Sequence, residues 1–398
     1  MKRPLIIADD KIPFLRGALE PFADISYLPG DGITAADLAG TDALLTRTRT
    51  RCDAALLSGS SIRLIATATI GYDHIDTAWC EANGIRWVNA PGCNSSSVQQ
   101  YITAAILAWA HEHTLWLPDM TLGVIGVGHV GSKVALAGAA LGMRVLLCDP
   151  PRADREGTTG FLPLDELLRE SDIVSCHTPL THDGPYPTYH LASHDFFGKM
   201  KEGAVFINSS RGAVTDTAAL RHAIQTKLAT CILDVWEGEP DIDPVLLDRA
   251  FVATPHIAGY SADGKANGTA ACIRELSRFF DIPALANWYP ETIPPPPMPT
   301  EWTIDCRGKT PGRVLYEAMT HAFPIEEDSH RLKHSPESFE EFRGNYWTRR
   351  EMDSFTLHLV DADLWMVTSL RSLGFHLCTE RLPEGKTKAK RTRGRARS

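Results

Sequence analysis

The sequence predicts an α/β protein: two doubly wound parallel sheets in series, then a smaller α+β module. Three features point there. Short apolar runs alternate with helical stretches twice along the chain, once from residue 5 and again from residue 122. Such alternation builds βαβ units rather than hairpins. The second series opens on Gly126-Val127-Gly128-His129-Val130-Gly131, set between an apolar run and a helical one. Near residue 287 the composition shifts to NWYPETIPPPPMPT, whose prolines make a semi-rigid spacer.

In chain order, residues 5–8, 24–28, 43–46, 64–68 and 86–89 read as strands, with helical segments such as 75–83 between them. The apolar helix at 97–109 falls short of the ~20 residues that cross a bilayer. It reads as a buried connection between the two sheets. Residues 122–125, 145–148, 173–176, 204–208 and 231–235 supply the second set of strands. Beyond the spacer at 288–300, residues 301–382 read as an independent module that mixes strand-like SFTLHLV with helical DLWMVTSLRSLGF.

At 43% apolar, 398 residues can bury two or three cores. No stretch suits a membrane span, and the start MKRPLIIADD lacks a signal peptide's apolar core, so the expected compartment is cytoplasmic. The nine cysteines are scattered without a CxxC pair, which suits reduced core residues there. The histidines show no paired ligand spacing, so no metal is expected. The formal charge is −9, yet residues 386–398 hold seven basic side chains and no acid. That run, within 383–398, reads as a disordered tail, and the acidic body argues against general nucleic-acid binding.

The glycine motif carries the first functional reading. Gly126 opens a turn, Gly128 lets backbone approach a pyrophosphate, and Gly131 lets the next helix pack close to the strand. That helix, read as Val130 to Leu141, would point free N–H groups and its positive dipole end at the phosphates, with His129 just before it as a further cofactor contact. A second strand ends in Asp149, suited to the ribose hydroxyls and hostile to a 2′-phosphate, so the expected cofactor is NAD in a Rossmann-like unit. Arg152 reads as a solvent-facing loop charge. Thr178, at the end of the next strand, is a candidate cofactor neighbour, whereas His177 reads equally well as a structural histidine.

Three further strand ends bring the reactive groups. Arg211, in Asn208-Ser209-Ser210-Arg211-Gly212, offers the planar bidentate cation that a carboxylate substrate needs. His256, in Thr254-Pro255-His256-Ile257-Ala258-Gly259, offers a base that titrates in the right range for taking a hydroxyl proton. The stretch Asp234-Val235-Trp236-Glu237-Gly238-Glu239-Pro240 supplies the carboxylate that orients the imidazole. Glu239 is chosen over Glu237 because the following proline fixes its backbone. Asp234, at the strand end, is placed to touch a nicotinamide. Arg47, Arg49 and Arg51 form a cationic cluster, of which Arg47 with Thr48 suits a phosphate while Arg49 and Arg51 read as solvated. Arg349 and Arg350 read as a surface pair.

Together GVIGVGHVG, NSSRG, DVWEGEP and TPHIAG resemble the D-isomer-specific 2-hydroxyacid dehydrogenases over roughly residues 1–290. The resemblance implies two Rossmann-like domains with the active site between them: a discontinuous substrate domain, 1–92 with 266–287, and an NAD-binding domain, 93–265. It makes Arg211, Glu239 and His256 the catalytic three, and it places Ser209, Ser210 and Gly259 beside the cofactor. Finer stretches, among them TRTRT, ATATIGYDHID and PHIAGYSADGKANGT, are similar to the branch that oxidises 4-phospho-D-erythronate to 2-oxo-3-hydroxy-4-phosphobutanoate in vitamin B6 cofactor synthesis. That similarity implies substrate contacts from Thr48, Thr69 and Tyr260, and a homodimer formed through 301–382. Position 48 carries Thr where the family motif carries Ser, and the hydroxyl is kept. Two alternatives stay open: another hydroxy acid such as 3-phosphoglycerate, and a non-catalytic NAD-sensing protein.

Overall fold

The computed structural model describes residues 3–379, so the expected basic tail lies outside the described residues. Five strands, β1 (Leu5–Asp9), β2 (Asp24–Leu28), β3 (Ala43–Thr46), β4 (Leu64–Thr67) and β5 (Arg86–Val88), form a parallel sheet in the order β2-β1-β3-β4-β5. Six more, β6 (Thr121–Ile125), β7 (Arg144–Cys148), β8 (Ile173–Cys176), β9 (Val205–Asn208), β10 (Thr230–Leu233) and β11 (Val252–Ala253), form a second in the order β11-β10-β9-β8-β6-β7. The central strands β3, β4, β6, β8, β9 and β10 are buried along their whole length. That is why they read as unbroken apolar runs and not as alternating ones.

In the second sheet β6 has β7 on one side and β8 on the other. Successive connections therefore leave β6 toward opposite edges, opening a crevice at its carboxyl end where ligands bind in such sheets. The helix Ser95–Glu112 links the two sheets and is buried on nearly every face, from Ser95 to Ala110. The chain then returns to the first sheet: Cys272, Ile273 and Leu276 of helix Ala262–Phe280 share a core with Ile6, Leu45 and Leu64.

The third sheet, β12 (Glu301–Asp305), β13 (Thr356–Val360) and β14 (His376–Thr379), is also parallel throughout, so the expected α+β module is wound like the other two. It is not independent. Val314, Met319, Leu357 and Leu370 share one continuous core with Ile106, Leu122 and Val134 of the linking helix and second sheet. Even the proline-rich spacer is pinned down, since Arg350 donates to the carbonyls of Ile293 and Pro294 and the His321 ring bonds that of Pro299. Among the described residues no helix is long and apolar enough to cross a membrane.

Candidate active site

The segment after β11 holds His256 in a conformation that side chains rarely adopt, with φ at 57°. Strain of this kind costs about 1–3 kcal/mol and persists only where neighbours over-determine the backbone. Here they do. The His256 N–H donates to the Asp234 carbonyl at 2.8 Å. The Asp234 carboxylate accepts from the Thr254 hydroxyl at 2.7 Å and from the N–H groups of Ile257 and Ala258 at 2.7 and 2.9 Å. Asp234 is thus buried first as the scaffold of the His256 loop, a role that its place at a strand end did not reveal. Its Oδ2 takes only one of those donors and keeps a lone pair for another.

His256 Nδ1 lies 2.9 Å from Glu239 Oε2, and Glu239 Oε1 accepts the Trp236 N–H at 2.8 Å. A carboxylate on Nδ1 puts the proton there and leaves Nε2 as the basic nitrogen. Burial pushes the Glu239 carboxyl up, but the hydrogen bond and charge of His256, the Trp236 N–H and the Arg343 charge outweigh it, and the group lies below the usual carboxylate range. It is therefore ionised at neutral pH. Glu237 faces elsewhere, against His190 at 2.5 Å and the Thr217 N–H at 3.2 Å.

Arg211 follows β9, where Asn208 fixes the turn by donating to the Arg211 carbonyl at 2.9 Å and accepting the Ser210 N–H at 3.0 Å. Its guanidinium crosses to the loop after β4, where Nη2 meets Asp73 at 3.2 Å. A Cβ on Gly71 would sit 2.5 Å from that same Nη2, so glycine is what lets the guanidinium lie there. Sequence reading passed over Gly71; its place in a loop opposite a charged strand end was the one signal available. Thr48 and Thr69 follow the paired strands β3 and β4 on the same rim; Thr48 is exposed and Thr69 donates to the Gly71 carbonyl at 2.8 Å. Arg47, half-buried, donates to the Lys11 carbonyl at 3.2 Å.

The crevice at β6 has the shape and donors a dinucleotide needs. A Cβ on Gly131 would lie 1.9 Å from the Gly126 carbonyl oxygen, so strand, turn and helix His129–Ala140 close up only around glycine. Open space surrounds Gly128, with nothing within 4 Å of a Cβ built there. Asp149 accepts the Val127 N–H at 2.7 Å and the Arg152 N–H at 2.9 Å, each on a different oxygen, so both oxygens keep capacity for hydroxyls. The hydroxyls of Thr178 and Ser209 are buried without a partner among the described residues, an arrangement that calls for a ligand. His177, by contrast, bonds Ser175 at 2.9 Å and burial pulls its pKa down to about 3, which makes it a neutral structural residue. His129 packs over Gly92, and Gly259 over Asn94, at the junction of the two sheets.

Several arginines are placed differently from the sequence expectation. Arg152 is not a free loop charge: it forks onto Glu156 at 2.7 and 3.0 Å and donates back to the Val127 carbonyl. Arg49 and Arg51 are exposed as expected, Arg49 reaching Glu340 at 3.3 Å and Asp31 at 3.8 Å and Arg51 pairing with its neighbour Asp53. Arg349 and Arg350 are no surface pair. Arg349 is 0% exposed and donates to Ser97 and the Ala258 carbonyl, with Phe323 under its guanidinium. Arg350 holds both oxygens of Asp263 at 3.0 Å. The last module also reaches the site directly, since Arg343 Nε donates to the Tyr260 hydroxyl at 3.1 Å. Adjacent basic residues read as solvated in one dimension; only the shared core turns them inward.

Residues 97–258 match the family model described as D-isomer specific 2-hydroxyacid dehydrogenase, NAD binding domain. The protein is accordingly an NAD-dependent oxidoreductase. Over 355 residues it is 46% identical to an erythronate-4-phosphate dehydrogenase from Bacteroides fragilis, covering 88% of this chain and 98% of that one. An enzyme of the same name from Porphyromonas gingivalis is 43% identical over 88% of this chain and 95% of its own length. The chain belongs to the erythronate-4-phosphate dehydrogenase family, within the D-isomer specific 2-hydroxyacid dehydrogenases. Among solved structures it is similar to a D-lactate dehydrogenase from Aquifex aeolicus complexed with NAD and lactic acid, at 27% identity and a TM-score of 0.59. That match covers 73% of this chain and 99% of the other.

Proposed function

We propose that the protein oxidises the C2 alcohol of 4-phospho-D-erythronate to 2-oxo-3-hydroxy-4-phosphobutanoate with NAD, an early step of vitamin B6 cofactor synthesis. The observation that carries the chemistry is the His256–Glu239 pair at 2.9 Å, with the second Glu239 oxygen tied to the Trp236 N–H. His256 Nε2 takes the hydroxyl proton, and Glu239 orients the ring and stabilises the imidazolium that forms. Arg211 holds the substrate carboxylate in bidentate fashion, exchanging its contact with Asp73 for it. When bound, NAD supplies the hydride acceptor. Gly126, Gly128, His129, Val130 and Gly131 cradle its pyrophosphate, Asp149 takes the ribose hydroxyls, and Thr178, Ser209, Ser210, Asp234 and Gly259 line the rest of its site.

Thr48, Thr69 and Tyr260 contact the substrate, with Arg47 beside its phosphate. Residues 1–92 and 266–287 act as the substrate domain and 93–265 as the NAD domain, while 301–382 pairs two copies in a cytoplasmic homodimer. The test is a substrate panel: purified protein with NAD and 4-phospho-D-erythronate, 3-phosphoglycerate or lactate, following NADH absorbance and, in parallel, 2-oxo acid product with an oxo-acid acceptor present. Product from the phosphoerythronate alone is expected. Product without net NADH means that the cofactor is recycled in place. No product from any of the acids contradicts the reading.

A further inference from the structure

Around Tyr260, at the end of the loop that carries His256, the structure gathers the side chains of Lys265 and Arg343. Lys265 lies in the first turn of helix Ala262–Phe280, half-buried, with its Nζ 5.0 Å from the centre of the Tyr260 ring. Among the described residues it has no carboxylate within 4.0 Å. Arg343, from helix Phe339–Gly344, approaches the same ring, with Cζ 5.8 Å from the centre and Nε on the hydroxyl. Among the described residues the carboxylate within ion-pair reach of Arg343 is Glu340 at 3.6 Å, which Arg49 shares at 3.3 Å, and the Glu239 charge also acts on Arg343. Burial pulls the Lys265 ammonium down to a pKa of about 8, and the charges of Arg47 and then Arg349 add to the effect.

A half-buried ammonium with no carboxylate in reach is unfavourable unless an anion completes the site. A phosphomonoester suits it. A lysine supplies a mobile point charge and an arginine a fixed fork, and three phosphate oxygens can accept both. Both cations reach the Tyr260 ring, and Tyr260 lies four residues beyond His256 on one loop, so a substrate with C2 at the imidazole extends its far end toward them. We propose that Lys265 and Arg343, with Arg47 at the rim, bind the substrate phosphate. The carboxyl-terminal module then supplies part of the substrate site within its own chain. This rests on the proposed function for the identity of the ester, but the anion site itself does not depend on it.

The experiment combines kinetics with anion binding on the full-length protein. Lys265→Met and Arg343→Met should each raise KM for 4-phospho-D-erythronate about tenfold to a hundredfold, the range for one hydrogen bond to a charged group. The loss should fall chiefly on KM, and Lys265→Arg should recover most of it. Separately, inorganic phosphate should raise the Tm of the wild type and not that of Lys265→Met. Unchanged KM and an unchanged phosphate response in variants with native circular dichroism would overturn the proposal. A wild type that binds phosphate through Lys265 yet turns over no phosphoerythronate removes the function and leaves the anion site standing. A wild type that turns over the ester without any thermal response to phosphate removes the anion site and leaves the function.

Discussion

The two walls of the cleft are built on opposite principles. On the second-sheet wall the proposed base, its carboxylate partner and their scaffold are already bonded to protein partners: His256 to Glu239, Glu239 to the Trp236 N–H, Asp234 to three donors. On the facing wall Lys265 has no carboxylate partner among the described residues, and Arg343 pairs with a Glu340 that Arg49 shares, with the Glu239 charge also acting on it. Proton transfer demands groups fixed before the substrate arrives, because alignment made during reaction is lost from the rate. Anion binding tolerates, and gains from, charges that the ligand itself completes. One wall is finished in the free protein and the other is finished by the substrate.

Removing the base should have the largest effect. His256→Ala is expected to lower kcat by about 10²–10⁴-fold while NAD affinity, read by fluorescence titration, stays near the wild-type value. Equal losses in both would make the histidine a structural element of the wall. Glu239→Gln keeps the shape and removes the charge, with an expected drop in kcat of about 10²-fold. It also carries a pH signature. Because the Glu239 carboxyl lies below its ordinary value of 4.5, its ionised form stabilises the fold at pH values above 4.5. That contribution disappears as the pH falls further and the folded protein takes up the proton. The Tm gap between wild type and Glu239→Gln should therefore be widest near neutrality and close in acid; a gap constant with pH would contradict the pairing.

A smaller effect is expected where the two walls touch. Gly71→Ala puts a methyl 2.5 Å from Arg211 Nη2, so the guanidinium must shift and KM should rise about tenfold, with kcat falling less. An unchanged KM would mean that the carboxylate is held without that geometry. The smallest effect concerns Glu351 of the last module, which accepts a hydrogen bond from Ser261 at 2.8 Å. Burial raises Glu351 to a pKa of about 7, against the hydrogen bond it accepts from Ser261. Between pH 4.5 and about 7 the unfolded chain gives up this proton while the folded one keeps it, so the wild type loses stability as pH rises through that window. Glu351→Gln keeps the Ser261 contact and escapes the loss. Its Tm should exceed the wild-type value above pH 7 and converge with it toward pH 4.5; a difference of the opposite sign would contradict the burial of an acid there.

What the sequence disclosed follows the same division. The strands of both large sheets and the glycine turn were legible because they rest on local rules: buried runs, close approach, a turn that only glycine can make. Arg211, Glu239 and His256 were legible as residue types at strand ends, and the choice of Glu239 over Glu237 rests in the structure on which carboxylate meets the imidazole. The facing wall was not legible. Lys265 and Arg343 stand 78 residues apart in the chain and meet only across the Tyr260 ring. Arg349 looks like half of a surface pair until its shared core with Tyr101 and Phe323 is seen, because burial is a long-range property of packing. The same long-range core removes the independence that the proline-rich spacer suggested for the last module.

The most direct test of the account is a single-turnover experiment. Wild type and His256→Ala, each mixed in excess over 4-phospho-D-erythronate with NAD present, are quenched over time and assayed for the 2-oxo acid. The account predicts prompt product from the wild type and product slowed about 10²–10⁴-fold from the variant, with the cofactor bound in both. Product formed by His256→Ala at the wild-type rate would contradict it.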